Sequence, residues 1–162
     1  MSNEPTSWDM STPENYGFDP EATEEFIATS GHCFMARLRK DGHPVGAYYG
    51  AAYDDGVAYV VSNVYREAYK AIKRDPRITV VYAKHDIGEV TIIGHGEIID
   101  DYELIRELFL RRAHTNARVA AGEWTVEQFM NMACTPNRRL VKVHREKVFS
   151  LDMAKLPYSD DG

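Results

Sequence analysis

The sequence predicts a mainly β fold of the α+β class: a six-stranded antiparallel barrel, closed or nearly closed, decorated with helices. Three observations predict it. Six runs of strand composition recur along the 162 residues. Tight turns containing Gly join several of them, as antiparallel neighbours allow. The fifth run carries Gly94 and Gly96 inside it, the mark of a bulge or sharp bend at a barrel corner.

Residues 1–18 read as a flexible arm of Ser, Thr, Pro and acids, with Trp8 and Tyr16 as large anchors. Residues 19–156 form the expected domain and 157–162 a loose tail. Asp19-Pro20 opens a helix, with Asp as N-cap and Pro in the first position. Glu21, Glu24 and Glu25 suit its N-terminal end, Phe26 and Ile27 point inward, and Gly31 is expected to end it.

CFMARLR (33–39) is the first strand, Lys40-Asp41-Gly42-His43 turns the chain, and VGAYYGAAY (45–53) returns. Asp54-Asp55-Gly56 is a second tight turn, with Gly supplying a positive φ, and VAYVVS (57–62) follows. The stretch 59–77, YVVSNVYREAYKAIKRDPR, reads as strand, turn, helix and stop. Tyr65, Ala68/Tyr69 and Ile72 give its helical spacing, and Arg66, Lys70, Lys73 and Arg74 occupy the other faces. Asp75-Pro76 stops the helix, because a residue before proline leaves the α region.

ITVVYAK (78–84) and EVTIIGHGEII (89–99) are the fourth and fifth strands. Asp100-Asp101 opens an amphipathic helix with Leu104, Ile105, Leu108 and Phe109 on one side and Arg106, Arg111 and Arg112 largely opposite. Thr125 and Gln128 fit a capping box before Phe129, Met130 and Met132. LVKVHREKVFSLD (140–152) is a long, bent last strand.

Composition narrows the function. A chain of this length holds one core. A formal charge of −6 argues against nucleic acid, which needs a basic face. No apolar run approaches the roughly 20 residues of a membrane span, and the polar, acidic start lacks a signal-peptide plan. Cytoplasm is the expected compartment. Cys33 and Cys134 read as free, partly buried thiols rather than a bridge. The six histidines, His32, His43, His85, His95, His114 and His144, never fall at a metal-ligand spacing, so no metal is expected. G-x-S-x-G, P-loop and dinucleotide fingerprints are missing too.

Two stretches carry chemistry. In the first, a strand end with a hydroxyl and an amide, Ser62 and Asn63, meets a helix start flanked by Arg66 and Lys70. Free N–H groups and the positive end of the macrodipole favour a phosphate there. A solvated amphipathic helix is the competing reading. In the second, Tyr48, Tyr49, Tyr53 and Tyr59 cluster on neighbouring strands among Ala47, Gly50, Ala51 and Ala52. Small residues leave room for a flat ring against the backbone. Alternation sends Tyr48 and Tyr49 to opposite faces, and ordinary core packing competes with this reading.

Four blocks in order carry a family resemblance: MARLRKDGHPVGAYYGAAYDDGVAYVVS, YKAIKRDPRITVVY, VTIIGHGEIIDD and LVKVHREKVFSLDMAK. Together they resemble the pyridoxamine 5′-phosphate oxidase-like, FMN-binding split β-barrel superfamily, which includes flavin and deazaflavin oxidoreductases. The resemblance implies a Greek-key split barrel forming a homodimer with two cofactor sites at its interface. By position, it implies that Ala47, Tyr48 and Tyr49 flank the isoalloxazine. Val61, Ser62 and Asn63 run beneath the ribityl chain, and Arg66 and Lys70 meet the phosphate. The implied activity is hydride transfer between bound flavin mononucleotide (FMN) or the deazaflavin F420 and a small organic substrate. A non-catalytic protein of the same fold that sequesters flavin, deazaflavin or haem is the alternative. No catalytic side chain is assigned; Tyr48, Tyr49 and His95 are the candidates for an acid. The sequence departs from the family at two places. The usual phosphate-binding helix lysine falls on Ala68, and Tyr48 replaces a frequent proline.

Overall fold

A computed structural model describes residues 16–156; Trp8 and most of the expected arm, and the tail from 157, lie outside them. Six strands close into one antiparallel barrel: β1 (His32–Leu38), β2 (Pro44–Asp54), β3 (Val57–Asn63), β4 (Arg77–Lys84), β5 (Gly88–Ile99) and β6 (Arg138–Asp152). Their order around it is β1-β2-β3-β6-β5-β4. Local turns make three of these pairings. The β2–β3 turn is Asp55-Gly56, both with positive φ (46° and 78°), the conformation that suits the twist of a two-residue hairpin. The pairs β1–β4 and β3–β6 join segments distant in the chain.

Period-two alternation fills the interior. Ala58, Val60 and Ser62 of β3, Ile78, Val80 and Tyr82 of β4, and Val90 and Ile92 of β5 are all buried. Near the bend in β5 the register shifts between Ile93 and Gly94. A side chain at Gly94 would collide with the His144 carbonyl, so the expected bulge is where the two glycines place it.

Helices close the barrel's two ends. Helix α1 (Pro20–Ala28) brings Phe26 and Ile27 into the core, and Asp19 caps it by accepting from the Ala22 N–H. Its C-terminus corrects the expectation for Gly31, because the helix has already ended at Thr29. There the hydroxyls of Thr29 and Ser30 donate to the Glu25 and Phe26 carbonyls (2.7 and 2.6 Å), satisfying orphan acceptors without a left-handed cap. Glu24 accepts from Arg145 of β6 and from the Tyr53 hydroxyl of β2 (2.7 Å), tying α1 to the barrel wall. At the other end α2 (Glu67–Arg74) buries Ala68, Ala71 and Ile72. Tyr65 lies before this helix and is exposed, contrary to its place in the expected apolar spacing. The Asn63 side chain and carbonyl accept from the Tyr65 and Arg66 N–H groups, and that turn delays the helix start.

A second core lies outside the barrel. Helices α3 (Tyr102–Thr115) and α5 (Val126–Ala133), with the short α4 (Ala117–Ala120) between them, cover Ala52 and Leu140. Ile105, Leu108, Phe109 and Ala113 form the buried stripe of α3. Leu104 sits about 40° outside that stripe at 100° per residue and stays exposed, which corrects its expected inward place. The capping box of α5 is complete, with Thr125 and Gln128 each bonding the other's backbone. Cys33 and Cys134 are buried free thiols, and burial pushes the Cys33 thiol up to about 12.

Candidate functional site

The hairpin of β2 and β3 does not stay paired along its length. Its ladder runs from Asp54/Val57 only as far as Gly50/Val61. Beyond that point β2 continues toward Pro44 on β1, while Ser62 and Asn63 of β3 pair with Arg139 and Arg138 of β6. The two strands part there. Ala47, Tyr48 and Tyr49 stand on one side of the parting, and Ser62 and Asn63 on the other.

Each residue singled out from the sequence has a definite place. Tyr48 faces outward, 68% exposed, with its ring stacked on His32 (centroids 5.2 Å apart, 9° between planes). Tyr49 faces inward and is buried. Ala47 is half-buried against the barrel core. Val61 is half-buried on the outer face, against the second core. The Ser62 hydroxyl is buried with no hydrogen-bond partner, and Asn63 forms the turn into α2. Arg66 occupies the N-cap position of α2, its guanidinium 5.2 Å from the centroid of the Tyr49 ring. Lys70 is on the exposed side of α2, its ammonium 3.3 Å from Glu67.

Closure of the barrel adds a residue that strand reading overlooked. Arg138, opposite Asn63, donates through Nε to the Ala133 carbonyl (2.7 Å). Burial pushes its guanidinium down from the ordinary value, and the nearby Arg66 charge pushes the same way. Neither cation has a carboxylate within ion-pair distance among the described residues. The only sequence signal for Arg138 is the basic pair it forms with Arg139 at the start of β6.

Ala68 is 1% exposed and packs in the barrel core. A lysine ammonium there would be desolvated among apolar groups. Arg66 at the N-cap of α2 and Arg138 opposite Asn63, two cations without a carboxylate partner among the described residues, are nevertheless groups that could meet a phosphate there. His95 is not part of this constellation. It stacks on His144 on the outer face of β5 and β6 (centroids 4.7 Å, 8°), within reach of Glu146.

The sequence model of the pyridoxamine 5′-phosphate oxidase family matches residues 19–152. The chain belongs to that family. No curated protein matches it. Among solved structures, a conserved hypothetical protein from Mycobacterium tuberculosis is similar with a TM-score of 0.71 at 18% identity, covering 91% of this chain and 94% of that one. An F420 reductase has a TM-score of 0.57 at 18% identity, covering 80% and 97%. The haem storage protein HutZ from Vibrio cholerae has a TM-score of 0.61 at 12% identity, covering 83% and 94%. At these identities the likenesses establish the split-barrel fold. Among the described residues no helix is long and apolar enough to cross a membrane.

Proposed function

We propose that this chain is a cytoplasmic oxidoreductase of the family that binds FMN or the deazaflavin F420 and acts on a small organic substrate. The observation that carries this reading is the parting of β2 and β3, with the uncompensated Arg66 and Arg138 at its end. When bound, the cofactor supplies the hydride chemistry. Ala47, Tyr48 and Val61 would bound the ring, and Asn63 would line the chain leading from it. Arg66 and Arg138 would meet the phosphate, taking the part of the lysine that Ala68 replaces. Lys70, held by Glu67, would contribute long-range charge. Tyr48, outward and stacked on His32, would shield one edge of the ring from water.

A homodimer completes the proposal. Tyr48, Phe34, Val81, Thr91 and Phe149 lie in register across β2, β1, β4, β5 and β6 on the outer face. Phe34 and Phe149 are 44% and 51% exposed. Exposed apolar side chains gathered in one row, with Thr91 among them, suit an interaction surface. Since Tyr48 belongs both to this row and to the parting, a second copy seated on it would border the cofactor.

The test is a titration of the purified chain with FMN, F420 and riboflavin, followed by absorbance and fluorescence. Saturable FMN or F420 binding, with riboflavin at least about tenfold weaker than FMN, is the expected result. Failure of both phosphorylated cofactors would overturn the reading. The buried Ala68 favours a second one, a carrier that binds haem without turnover. A Soret band on haem addition, with no reductase activity toward any acceptor, would establish it instead.

A further inference from the structure

We propose that the barrel mouth between the β1–β2 hairpin and α2 is an anion site for a phosphate group, free or borne on a small molecule. The inference stands on observations separate from the cofactor reading. A cavity of about 460 Å³ opens there, bounded by Arg37, Lys40, Val45, Glu67, Ala71 and Arg74. Arg37 points inward by alternation with the buried Cys33 and Met35. Its Nε and Nη1 are shut off from solvent, yet neither has a hydrogen-bond partner. A guanidinium carries donors in a rigid fork, and burying two of them unpaired is costly unless a ligand satisfies them.

The surrounding charges point the same way. Asp41 is engaged by Arg39 (3.4 Å) and Glu67 by Lys70 (3.3 Å). Arg74 donates to the Leu38 carbonyl (3.1 Å), and the neighbouring Asp75 carboxylate is engaged by Arg77 (2.7 Å). Arg37, Lys40 and Arg74 therefore have no ion-pair partner among the described residues, in a chain whose formal charge is −6. Three uncompensated cations, two of them guanidinium forks, match a tetrahedral dianion better than a single carboxylate. The cavity has room for an organic group beyond the phosphate.

Calorimetric titration of the full-length chain with inorganic phosphate and with phenyl phosphate tests this. Binding with a Kd of about 1 mM or tighter is expected. Arg37→Met should weaken it at least about tenfold, whereas Lys147→Ala, at an exposed cation on β6, should leave it within about twofold. Should Arg37→Met fail to fold, Arg74→Gln, at an exposed position, decides by the same criterion. Absence of phosphate binding, or binding lost in Arg66→Ala and kept in Arg37→Met, would overturn the proposal. Competition then separates two sources of the phosphate. If inorganic phosphate weakens FMN but not riboflavin, and Arg37→Met does likewise, the group is the cofactor's own. If FMN binding is untouched while phenyl phosphate is lost, the site serves a separate phosphorylated ligand. Should no flavin bind at all, the cofactor reading fails and the calorimetry still decides this one.

Discussion

Arg66 shows how much a single side chain can decide. Its guanidinium lies beside Tyr49 and close enough to Arg138 to disfavour that residue's charge, an arrangement that an anion between them would relieve. Arg66→Ala should weaken FMN about 10- to 100-fold, the value of one charge-assisted hydrogen bond, and leave riboflavin unchanged. Equal loss for both ligands in fluorescence titration would remove Arg66 from the phosphate. Glu24 makes the second residue-scale case. The hydrogen bond from Arg145 holds its carboxyl below the usual range. A depressed carboxylate stabilises the fold above its unfolded pKa of about 4.3 and loses that contribution as pH falls through the folded value. Thermal melts of Glu24→Gln should therefore lie below wild type at pH 7 and converge with it in acid. Because the pair is partly exposed, screening limits the difference to about 1 kcal/mol or less. A gap that persists at pH 2 would mean that packing, not charge, ties α1 to the barrel.

At the scale of elements, the bend in β5 is the feature with the least tolerance. Gly94 lies against the His144 backbone at the register shift, and backbone cannot swing aside as a flexible side chain can. Gly94→Ala should cost about 3 kcal/mol, read in denaturant unfolding. Gly31→Ala, with open space at its Cβ, should be nearly silent. Equal effects would remove the close approach as the reason for Gly94. The contrast also explains why one glycine was read correctly from sequence and the other was not. An interior strand glycine implies a bulge, whereas a glycine after a helix is only one of several ways to satisfy its last carbonyls. Here Thr29 and Ser30 do it. Tyr65 failed for a related reason: its spacing suited the helix, but the Asn63 turn took the residue first.

For the whole molecule, the outer apolar row across five strands is the property with consequences. Phe34 stands in it between Tyr48 and Val81, and its ring covers Gly46. Phe34→Asp should convert a dimer to monomer at micromolar concentration in analytical ultracentrifugation, with far-UV circular dichroism unchanged. Cofactor affinity should fall with it if a second copy borders the site. A wild-type chain that sediments as monomer would remove the dimer from the proposal, leaving each barrel with a half-open parting.

The order of the six strands and main helices, the hairpin turns at 40–43 and 54–56, the caps at Asp19 and Thr125, the β5 bulge and the opposite facing of Tyr48 and Tyr49 could all be read from the chain. Each depends on residues a few positions apart, whose steric and hydrogen-bonding preferences act locally. Tertiary structure alone decided that β3 pairs with β6 and β1 with β4, because barrel closure depends on the summed twist and stagger of all six strands. It also decided where β2 and β3 part and that Arg138 stands near Arg66. Those are distances between segments far apart in sequence, and no local preference encodes them.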